Sequence, residues 1–258
     1  MKTSVVMEKI NTEISENNSI ELCKGEIPGT RAIHHILTEG SSMVLPANAG
    51  CYHILILVAG KADFTTDGKS YSFDERVTFV PALDKELTIA AKEKVHLLEI
   101  QWDYANEDEA LLKEYNTEFP YIQLYKTSIQ YTDPNKSEKT ISRMVIPHRI
   151  IPRFTMGSVE TYGVDSVRSH AHPMLDQFFF SFPENDMNVL INGEPIPMKG
   201  DILMHIPLGA DHGVDIPEGK HCHYMWIDFL PDNEKGLNRL DSSHKVTGTM
   251  RSFDEESK

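Results

Sequence analysis

The chain has 258 residues, of which 40% are hydrophobic and 25% charged, and its formal net charge is -14. This length fits one large domain or two of roughly 100 to 125 residues, and the composition can fill a hydrophobic core. The acidic balance excludes an extended nucleic-acid surface, because binding phosphates needs clustered Lys and Arg.

The sequence also predicts no membrane partner. It lacks a signal-peptide pattern and any run of roughly 20 apolar residues, the length that a membrane-spanning helix needs. Cys23, Cys51 and Cys222 make an odd count without CxxC spacing, which favours a reducing compartment over a disulfide framework. We therefore expect a cytoplasmic protein whose cysteines are small buried apolar residues.

Short runs rich in Val, Ile, Phe, Tyr and Thr, such as residues 54–58 and 224–227, alternate with turn residues along both halves of the chain. Asp67-Gly68 and Asn192-Gly193 lie between apolar segments and predict two-residue hairpin turns. Each half thus predicts antiparallel strands and one comparable hairpin, and the fold class is all-β.

The middle and the end of the chain differ from this pattern. The segment from Asn106 to Tyr115 predicts a helix, with Asn106 as its cap and an apolar stripe formed by Leu111, Leu112 and Tyr115. Residues 126–140 are polar and rich in turn formers, and the segment after about residue 232 is charged. These last two segments predict a loop and a tail.

The two halves form an internal repeat. Gly68 matches Gly193 at an offset of 125, Pro81 matches Pro207 at 126, and Trp102 matches Trp226 at 124. The repeat predicts four parts: a first barrel over 1–104, a helical connector and loop over 105–140, a second barrel over 141–232, and a polar tail over 233–258. It also predicts which residues of the last strand of each barrel point inward: Leu98, Ile100 and Trp102 in the first, and Cys222, Tyr224 and Trp226 in the second.

A group of histidines in the second half has the spacing of a metal site. Residues i and i+2 of a strand point to the same side, so His170 and His172 can present ring nitrogens to one ion. His212 follows the turn Pro207-Leu-Gly209 on a neighbouring predicted strand. The pattern favours metal binding over three unrelated structural histidines.

Two segments resemble the motifs of the cupin family. The first runs from Gly163 through His170-Ala-His172 to Gln177, and the second from Gly200 through Pro207-Leu-Gly209 to His212. The family pattern is a glycine, His-x-His and a Glu, then a glycine, a short strand and Pro-x-Gly-x-x-His. The resemblance implies two tandem jelly-roll barrels and one divalent ion, Zn, Mn, Ni or Fe(II), held by His170, His172, Gln177 and His212. Gln177 stands at the Glu position, and Asp176 is the alternative fourth ligand.

The first half offers an internal comparison for the metal site. At the repeat offset, Pro46, Asn48, His53 and Glu86 stand where the second half has His170, His172, Gln177 and His212. Two adjacent ligands are therefore missing. We expect the first barrel to be a structural or pocket-closing half, with a second metal centre as the alternative.

Three further residues are candidates for catalysis. Arg168 shares strand parity with the two paired histidines and could hold a substrate carboxylate, or it lies on a solvated rim. His205 and Tyr224 could move protons, although a packed core role is the commoner one for either.

The resemblance implies a function as well. The His-x-His-x4-Gln pattern is similar to that of small cupins that act on unsaturated or keto uronates, and a Gln ligand occurs in metal-dependent phosphomannose isomerases. We therefore expect a metal-dependent isomerase acting on a small, sugar-like or uronate-like molecule, with a homodimer implied by the family. The alternatives are a non-haem Fe(II) dioxygenase and a non-catalytic cupin that binds a small ligand.

Overall fold

The structure, a computed structural model, describes residues 5–253 and is built almost entirely from antiparallel strands. The chain forms two compact units, one of residues 10–126 and one of residues 5–9 together with 127–253. We call them the N-terminal and C-terminal barrels. In the described part of the chain, neither helix has the length and apolar character needed to cross a membrane.

The N-terminal barrel consists of two facing sheets. Its ten strands are β2 (Asn18–Leu22), β3 (Thr30–Leu37), β4 (Ser42–Leu45), β5 (Cys51–Ala59), β6 (Ala62–Thr66), β7 (Lys69–Phe73), β8 (Val77–Val80), β9 (Leu87–Ala91), β10 (Val95–Asp103) and β11 (Tyr121–Leu124). One sheet has the order β11-β8-β5-β10-β3-β2 and the other β4-β9-β6-β7. Their inner faces enclose a core that includes Phe64 and Phe79, both fully buried.

The C-terminal barrel repeats this plan and recruits a strand from the start of the chain. Its strands are β1 (Met7–Lys9), β12 (Ile129–Thr132), β13 (Ile141–Ile151), β14 (Phe154–Tyr162), β15 (Asp165–His170), β16 (Asp176–Ser181), β17 (Asp186–Ile191), β18 (Glu194–Lys199), β19 (Ile202–Ile206), β20 (His212–Ile216), β21 (His221–Phe229) and β22 (Lys245–Val246). The sheets have the orders β1-β19-β16-β21-β14-β13-β12-β22 and β15-β20-β17-β18.

Both predicted hairpin turns are present. Asp67-Gly68 joins β6 to β7, and Asn192-Gly193 joins β17 to β18, with positive φ at all four positions. Two consecutive positive φ angles are the mark of a type I′ turn, whose twist matches that of the strands it connects. These dipeptides therefore fix the register of the two hairpins.

The predicted connecting helix is confirmed, but its cap is not the predicted one. Helix α1 (Asp108–Tyr115) starts after Glu107, and no side-chain hydrogen bond caps it there. Asp108 is buried and accepts a hydrogen bond from the backbone N–H of Ala105 at 3.0 Å. The acidic first turn provides part of the stabilisation that a capping Asn106 was expected to give.

Two segments predicted as irregular contain regular structure. Residues 126–140 include a short 3-10 helix, Tyr125–Thr127, and strand β12, which pairs with β13. The predicted tail contains helix α2 (Asn233–Ser243) and strand β22, which pairs with β12. Burial of Leu237 and Leu240 explains the helix, because packing of an apolar face outweighs a polar overall composition.

The predicted inward face is correct for the last strand of the C-terminal barrel. Cys222, Tyr224 and Trp226 of β21 all belong to the barrel core. Phe179 of β16 also belongs to this core and stands directly opposite Trp226.

The prediction for the N-terminal barrel names the wrong face of β10. Leu97 packs in the barrel core, whereas the predicted Leu98, Ile100 and Trp102 lie on the opposite face of β10. Phe179 corresponds to Leu55 at the offset that relates Gln177 to His53. Because Phe179 stands opposite Trp226 and Leu55 stands opposite Glu99, Trp226 corresponds to Glu99 and not to Trp102. The offset between the two last strands is therefore 127 and not the predicted 124. An error of an odd number of residues exchanges the two faces of a strand.

Candidate metal site and its pocket

Three histidines come together at one end of the C-terminal barrel. His170 ends β15 and stands directly opposite His212, the first residue of β20, while His172 follows two residues later in the chain. One ring nitrogen of each histidine lies within 4.8 Å of those of the other two. The closest pair of rings, His170 and His172, has centroids 4.7 Å apart. The predicted trio is thus assembled in space.

Backbone carbonyls fix which nitrogen of two of these rings carries the proton. Nδ1 of His170 donates to the carbonyl of Arg168 at 2.7 Å, and Nδ1 of His212 donates to that of Ala210 at 3.1 Å. Nε2 of both rings therefore carries a lone pair. Nδ1 of His172 is buried and makes no hydrogen bond.

Gln177 of β16 is the fourth predicted ligand. Its side chain is buried, and Nε2 donates to Oδ1 of Asp228 at 2.6 Å. Its carbonyl oxygen Oε1 is buried without a hydrogen-bond partner, which is costly for a polar atom. Gln177 lines the same pocket as the three histidines.

Burial favours the neutral form of two of the three histidines and of Asp228. Burial, together with the neighbouring histidines, lowers the pKa of His172 to about 3 and that of His212 to about 4. Burial also raises the pKa of Asp228 to about 7, although the hydrogen bond from Gln177 and the charge of Lys136 oppose the rise. Neutral imidazoles are the protonation state that binds a metal.

The pocket around these side chains is small and mixed in polarity. Its volume is about 40 Å³, enough for an ion and little more. The aromatic wall consists of Tyr131, Phe179, Tyr224 and Trp226, and the polar lining includes Asp133, Asn135, Lys136 and Arg239. A second cavity of about 390 Å³ shares Tyr131, Asp133, Lys136 and Ser243 with it.

Lys136 is a buried cation on the boundary between the two cavities. Its ammonium donates to the hydroxyl of Tyr131 at 2.9 Å and lies 4.0 Å from a carboxylate oxygen of Asp133. Burial lowers the pKa of Lys136 to about 8, against the opposing effect of Asp133 and Asp228. A group with this pKa can both give and take a proton near neutral pH.

Two of the three predicted catalytic residues lie outside this pocket. Arg168 is exposed, because a register irregularity between Val167 and His170 breaks the strand parity on which its prediction rested. His205 packs against Phe178, with ring centroids 6.0 Å apart, on the face of β19 opposite the core residues Met204 and Ile206.

The third predicted catalytic residue does line the pocket. Tyr224 is buried, packs against Phe179 with ring centroids 4.6 Å apart, and has a pKa raised well above its ordinary value by burial. Asp176, the alternative fourth ligand, is not among the lining residues and precedes Gln177 on the opposite side of β16. Of the two candidates for the fourth ligand, only Gln177 lines the pocket of the histidines.

Several polar residues of the pocket were missed from the sequence. Lys136 lies in the segment predicted as a loop, and Arg239 and His244 lie in or just after α2, in the segment predicted as a tail. His244 packs against Tyr131 with ring centroids 4.3 Å apart. A hydrophobic period in α2, with Leu237 and Leu240 at i and i+3, was the available signal that this segment folds back.

The equivalent position in the N-terminal barrel carries a hydrogen-bonded network. The Pro46, Asn48 and Glu86 positions are exposed, and residues 10–126 contain no group of three side chains within metal-ligand distance. His53 instead points into the barrel and pairs with Glu99, which also bonds Nε2 of His35 at 2.7 Å.

Comparisons with known proteins give likenesses at the level of structure. No protein-family model and no curated protein matches the sequence. An IolB-like protein from Salmonella typhimurium is similar with a TM-score of 0.68 and 14% identity, over 88% of this chain and 94% of that one.

Two further solved structures have the same plan. A cupin 2 conserved barrel domain protein from Leptotrichia buccalis has a TM-score of 0.58 at 14% identity, covering 89% of this chain and 98% of that one. Oxalate decarboxylase of Bacillus subtilis, a structure concerned with its Mn(II) centres, has a TM-score of 0.64 at 11% identity, covering 90% and 78%. The chain therefore has the two-barrel cupin fold, with a candidate metal site in its C-terminal barrel.

Proposed function

We propose that the C-terminal barrel binds one divalent metal ion and isomerises a small, oxygen-rich substrate of the sugar or uronate type. The ion's ligands are His170, His172, Gln177 and His212. The observation that carries this proposal is that one pocket is lined by the three clustered histidines and by Gln177, whose amide oxygen is buried and unpaired.

The residues present fit a divalent ion. Three neutral nitrogens and one amide oxygen suit Zn, Mn, Ni or Fe(II), and the unmet hydrogen-bonding capacity of Gln177 Oε1 would be satisfied by coordination. Because all four ligands are neutral, the ion keeps its full charge. Asp228 holds the Gln177 amide by its nitrogen and so directs the oxygen, as carboxylates around metal sites do.

The bound metal would supply Lewis-acid polarisation of a substrate carbonyl or hydroxyl oxygen. Lys136 is the proton-transfer group in this proposal, since it lines the pocket and its lowered pKa suits both directions of transfer. Tyr131 holds the Lys136 ammonium in place through their hydrogen bond. Isomerisation needs a proton removed at one carbon and returned at its neighbour, and one such group can perform both steps.

Substrate recognition in this proposal involves the adjoining cavity. Its volume of about 390 Å³ lies in the range of small-molecule sites, whereas the metal pocket alone is too small for a sugar. Arg239 of α2, which lines the metal pocket, is placed to bind a substrate carboxylate and takes the role that the sequence assigned to Arg168.

The test combines metal analysis with proton exchange. Purified protein should contain one equivalent of metal at this site, and His170→Ala or His212→Ala should remove it. Metal-loaded protein incubated with keto-sugars and uronates in heavy water should place deuterium on the carbon next to the carbonyl.

Three results would contradict the proposal. Metal content at this site unchanged by both substitutions would exclude the ligand set. Retained iron with substrate-dependent oxygen uptake and no deuterium incorporation would favour the dioxygenase, and substrate binding that survives metal removal would favour a non-catalytic cupin.

A further inference from the structure

A second group of metal-ligating side chains lies on the other face of the same sheet. Glu160 of β14 stands directly opposite His223 of β21, and His221 is two residues from His223 on the same side of its strand. The intervening Cys222 belongs to the barrel core, so these three side chains lie on the outer face. One oxygen of Glu160 and one nitrogen of each histidine all lie within 4.8 Å of one another.

Neighbouring residues orient these ligand atoms. Nδ1 of His223 donates to a carboxylate oxygen of Glu184 at 2.6 Å, which leaves Nε2 as the nitrogen with the lone pair. Arg143 donates to Oε2 of Glu160 at 2.8 Å, and Oε1 lies 3.5 Å from Nε2 of His221. A carboxylate behind a ligating histidine is the usual outer partner of a protein metal site.

The site has an unmet polar atom and a suitable charge. Nε2 of His221 is buried without a hydrogen bond, although its ring is held against Tyr162 with centroids 4.1 Å apart and planes 6° from parallel. The carboxylates of Glu160 and Glu184 both adjoin the histidines. A divalent cation bound between the ligand atoms would satisfy the orphaned nitrogen.

We propose that Glu160, His221 and His223 form a second metal site that binds Zn²⁺. Two imidazole nitrogens and one carboxylate oxygen are a set that zinc accepts, and tetrahedral coordination would leave one position for water. The site stands apart from the pocket of the proposed isomerase, because its ligands lie on the opposite face of β14 and β21. It does not depend on that function.

The experiment counts zinc in full-length variants. Metal-free protein is saturated with Zn²⁺, freed of excess by gel filtration and analysed for zinc per chain. Wild type and the control His205→Ala should retain two equivalents, while His221→Ala and His170→Ala should each retain one. Glu160→Gln preserves the size of the side chain and should lower zinc affinity at the second site at least tenfold, which keeps the test valid if His221→Ala fails to fold.

The outcomes separate this site from the proposed catalytic one. Two equivalents in both His221→Ala and Glu160→Gln, at unchanged affinity, would overturn the second site. A single equivalent in wild type that disappears only with His170→Ala would also overturn it. A single equivalent lost with His221→Ala but kept in His170→Ala would support the second site and contradict the proposed function.

Discussion

Asp228 controls the direction of the proposed fourth ligand through one hydrogen bond. It accepts from Nε2 of Gln177 at 2.6 Å, and that bond leaves the amide oxygen as the end that is free to bind a metal. At the scale of single residues, the site therefore depends on an outer carboxylate as much as on the amide itself. Lys136 and His53 are likewise held by hydrogen bonds, Lys136 to Tyr131 and His53 to Glu99.

We expect Asp228→Leu to weaken metal binding by roughly 10- to 100-fold, because the Gln177 amide loses the acceptor that orients it. Asp228→Asn keeps an acceptor oxygen and should bind metal nearly as well as wild type. Competition with a chelator of known affinity measures both. Equal weakening in the two variants would indicate that the charge of Asp228, and not its hydrogen bond, matters.

Lys136→Met should lower the rate of deuterium exchange by roughly 100- to 10,000-fold, the usual contribution of a positioned acid–base group. Metal content should stay at the wild-type level, since Lys136 is not a ligand. The matched control is Lys139→Met, an exposed lysine in the same segment. Full activity of Lys136→Met would remove this residue from the mechanism.

The buried pair His53 and Glu99 predicts a pH dependence of stability. Burial opposes the charge of both groups, but hydrogen bonds with Cys51 and Glu99 outweigh it and raise the pKa of His53 to about 9. Hydrogen bonds from His35 and His53 likewise lower the pKa of Glu99 to about 2. The raised pKa of His53 contributes stability that is complete below about pH 6.5 and is lost as the pH rises towards 9. The lowered pKa of Glu99 contributes stability that is complete above about pH 4.5 and is lost as the pH falls towards 2.

The free energy of unfolding of the N-terminal barrel should therefore be highest between about pH 4.5 and 6.5. Its loss on going to pH 9 should be on the order of 3 kcal/mol. Glu99→Gln should flatten this dependence, because His53 loses its charged partner. Urea titrations from pH 5 to pH 9 measure the change, and an equally steep dependence in the variant would assign it to other groups.

At the scale of elements, α2 closes the pocket from one side. It contributes Arg239, Leu240 and Ser243 to the pocket lining, and its N-terminus is capped by Asp232, whose side chain accepts from the backbone N–H of Lys235 at 3.1 Å. A helix of this length is marginal by itself, so its position depends on the cap and on packing. Access of substrate to the proposed site is therefore linked to the stability of one helix.

Asp232→Ala should lower the stability of α2 by about 1 kcal/mol, the typical cost of losing an N-cap. Fraying of the helix moves Arg239, so we expect KM for an acidic substrate to rise more than kcat falls. Asp232→Asn retains a capping oxygen and serves as the control. Hydrogen exchange of the α2 amides checks the first effect, and steady-state kinetics check the second.

At the scale of the whole molecule, the start of the chain contributes to the barrel formed by its end. Met7 and Lys9 of β1 pair with Met204 and Ile202 of β19, and Val6 accepts a hydrogen bond from the backbone N–H of His205 at 2.9 Å. β19 would otherwise be an edge strand with unpaired backbone groups. The repeat in the sequence gave no sign of this pairing, because it assigned residues 1–104, and β1 with them, to the first barrel.

Deleting residues 1–9 should destabilise the C-terminal barrel by about 2 kcal/mol, since each net hydrogen bond contributes roughly 1 kcal/mol. Deleting residues 1–4, which keeps β1 in the chain, is the matched control. Thermal unfolding with and without added metal identifies the barrel affected, because metal stabilises only the barrel that binds it. Unchanged unfolding after the longer deletion would show that β1 contributes no stability.

The sequence by itself determined the strand and turn pattern, the duplication and the ligand-spaced histidines. These features are local: alternation of side chains, Asp-Gly and Asn-Gly turns and an i, i+2 pair depend on a few adjacent residues. His170 and His172 could therefore be assigned to one site before any fold was known.

Only the tertiary structure decided which other residues join them. The bulge before His170 turned Arg168 outward, an odd offset exchanged the faces of β10, and packing of α2 brought Arg239 to the pocket. A shift of one residue reverses the facing of a whole strand, and burial of distant segments depends on contacts that no local pattern contains. Register and long-range packing thus set the pocket around a histidine group that the sequence had already predicted.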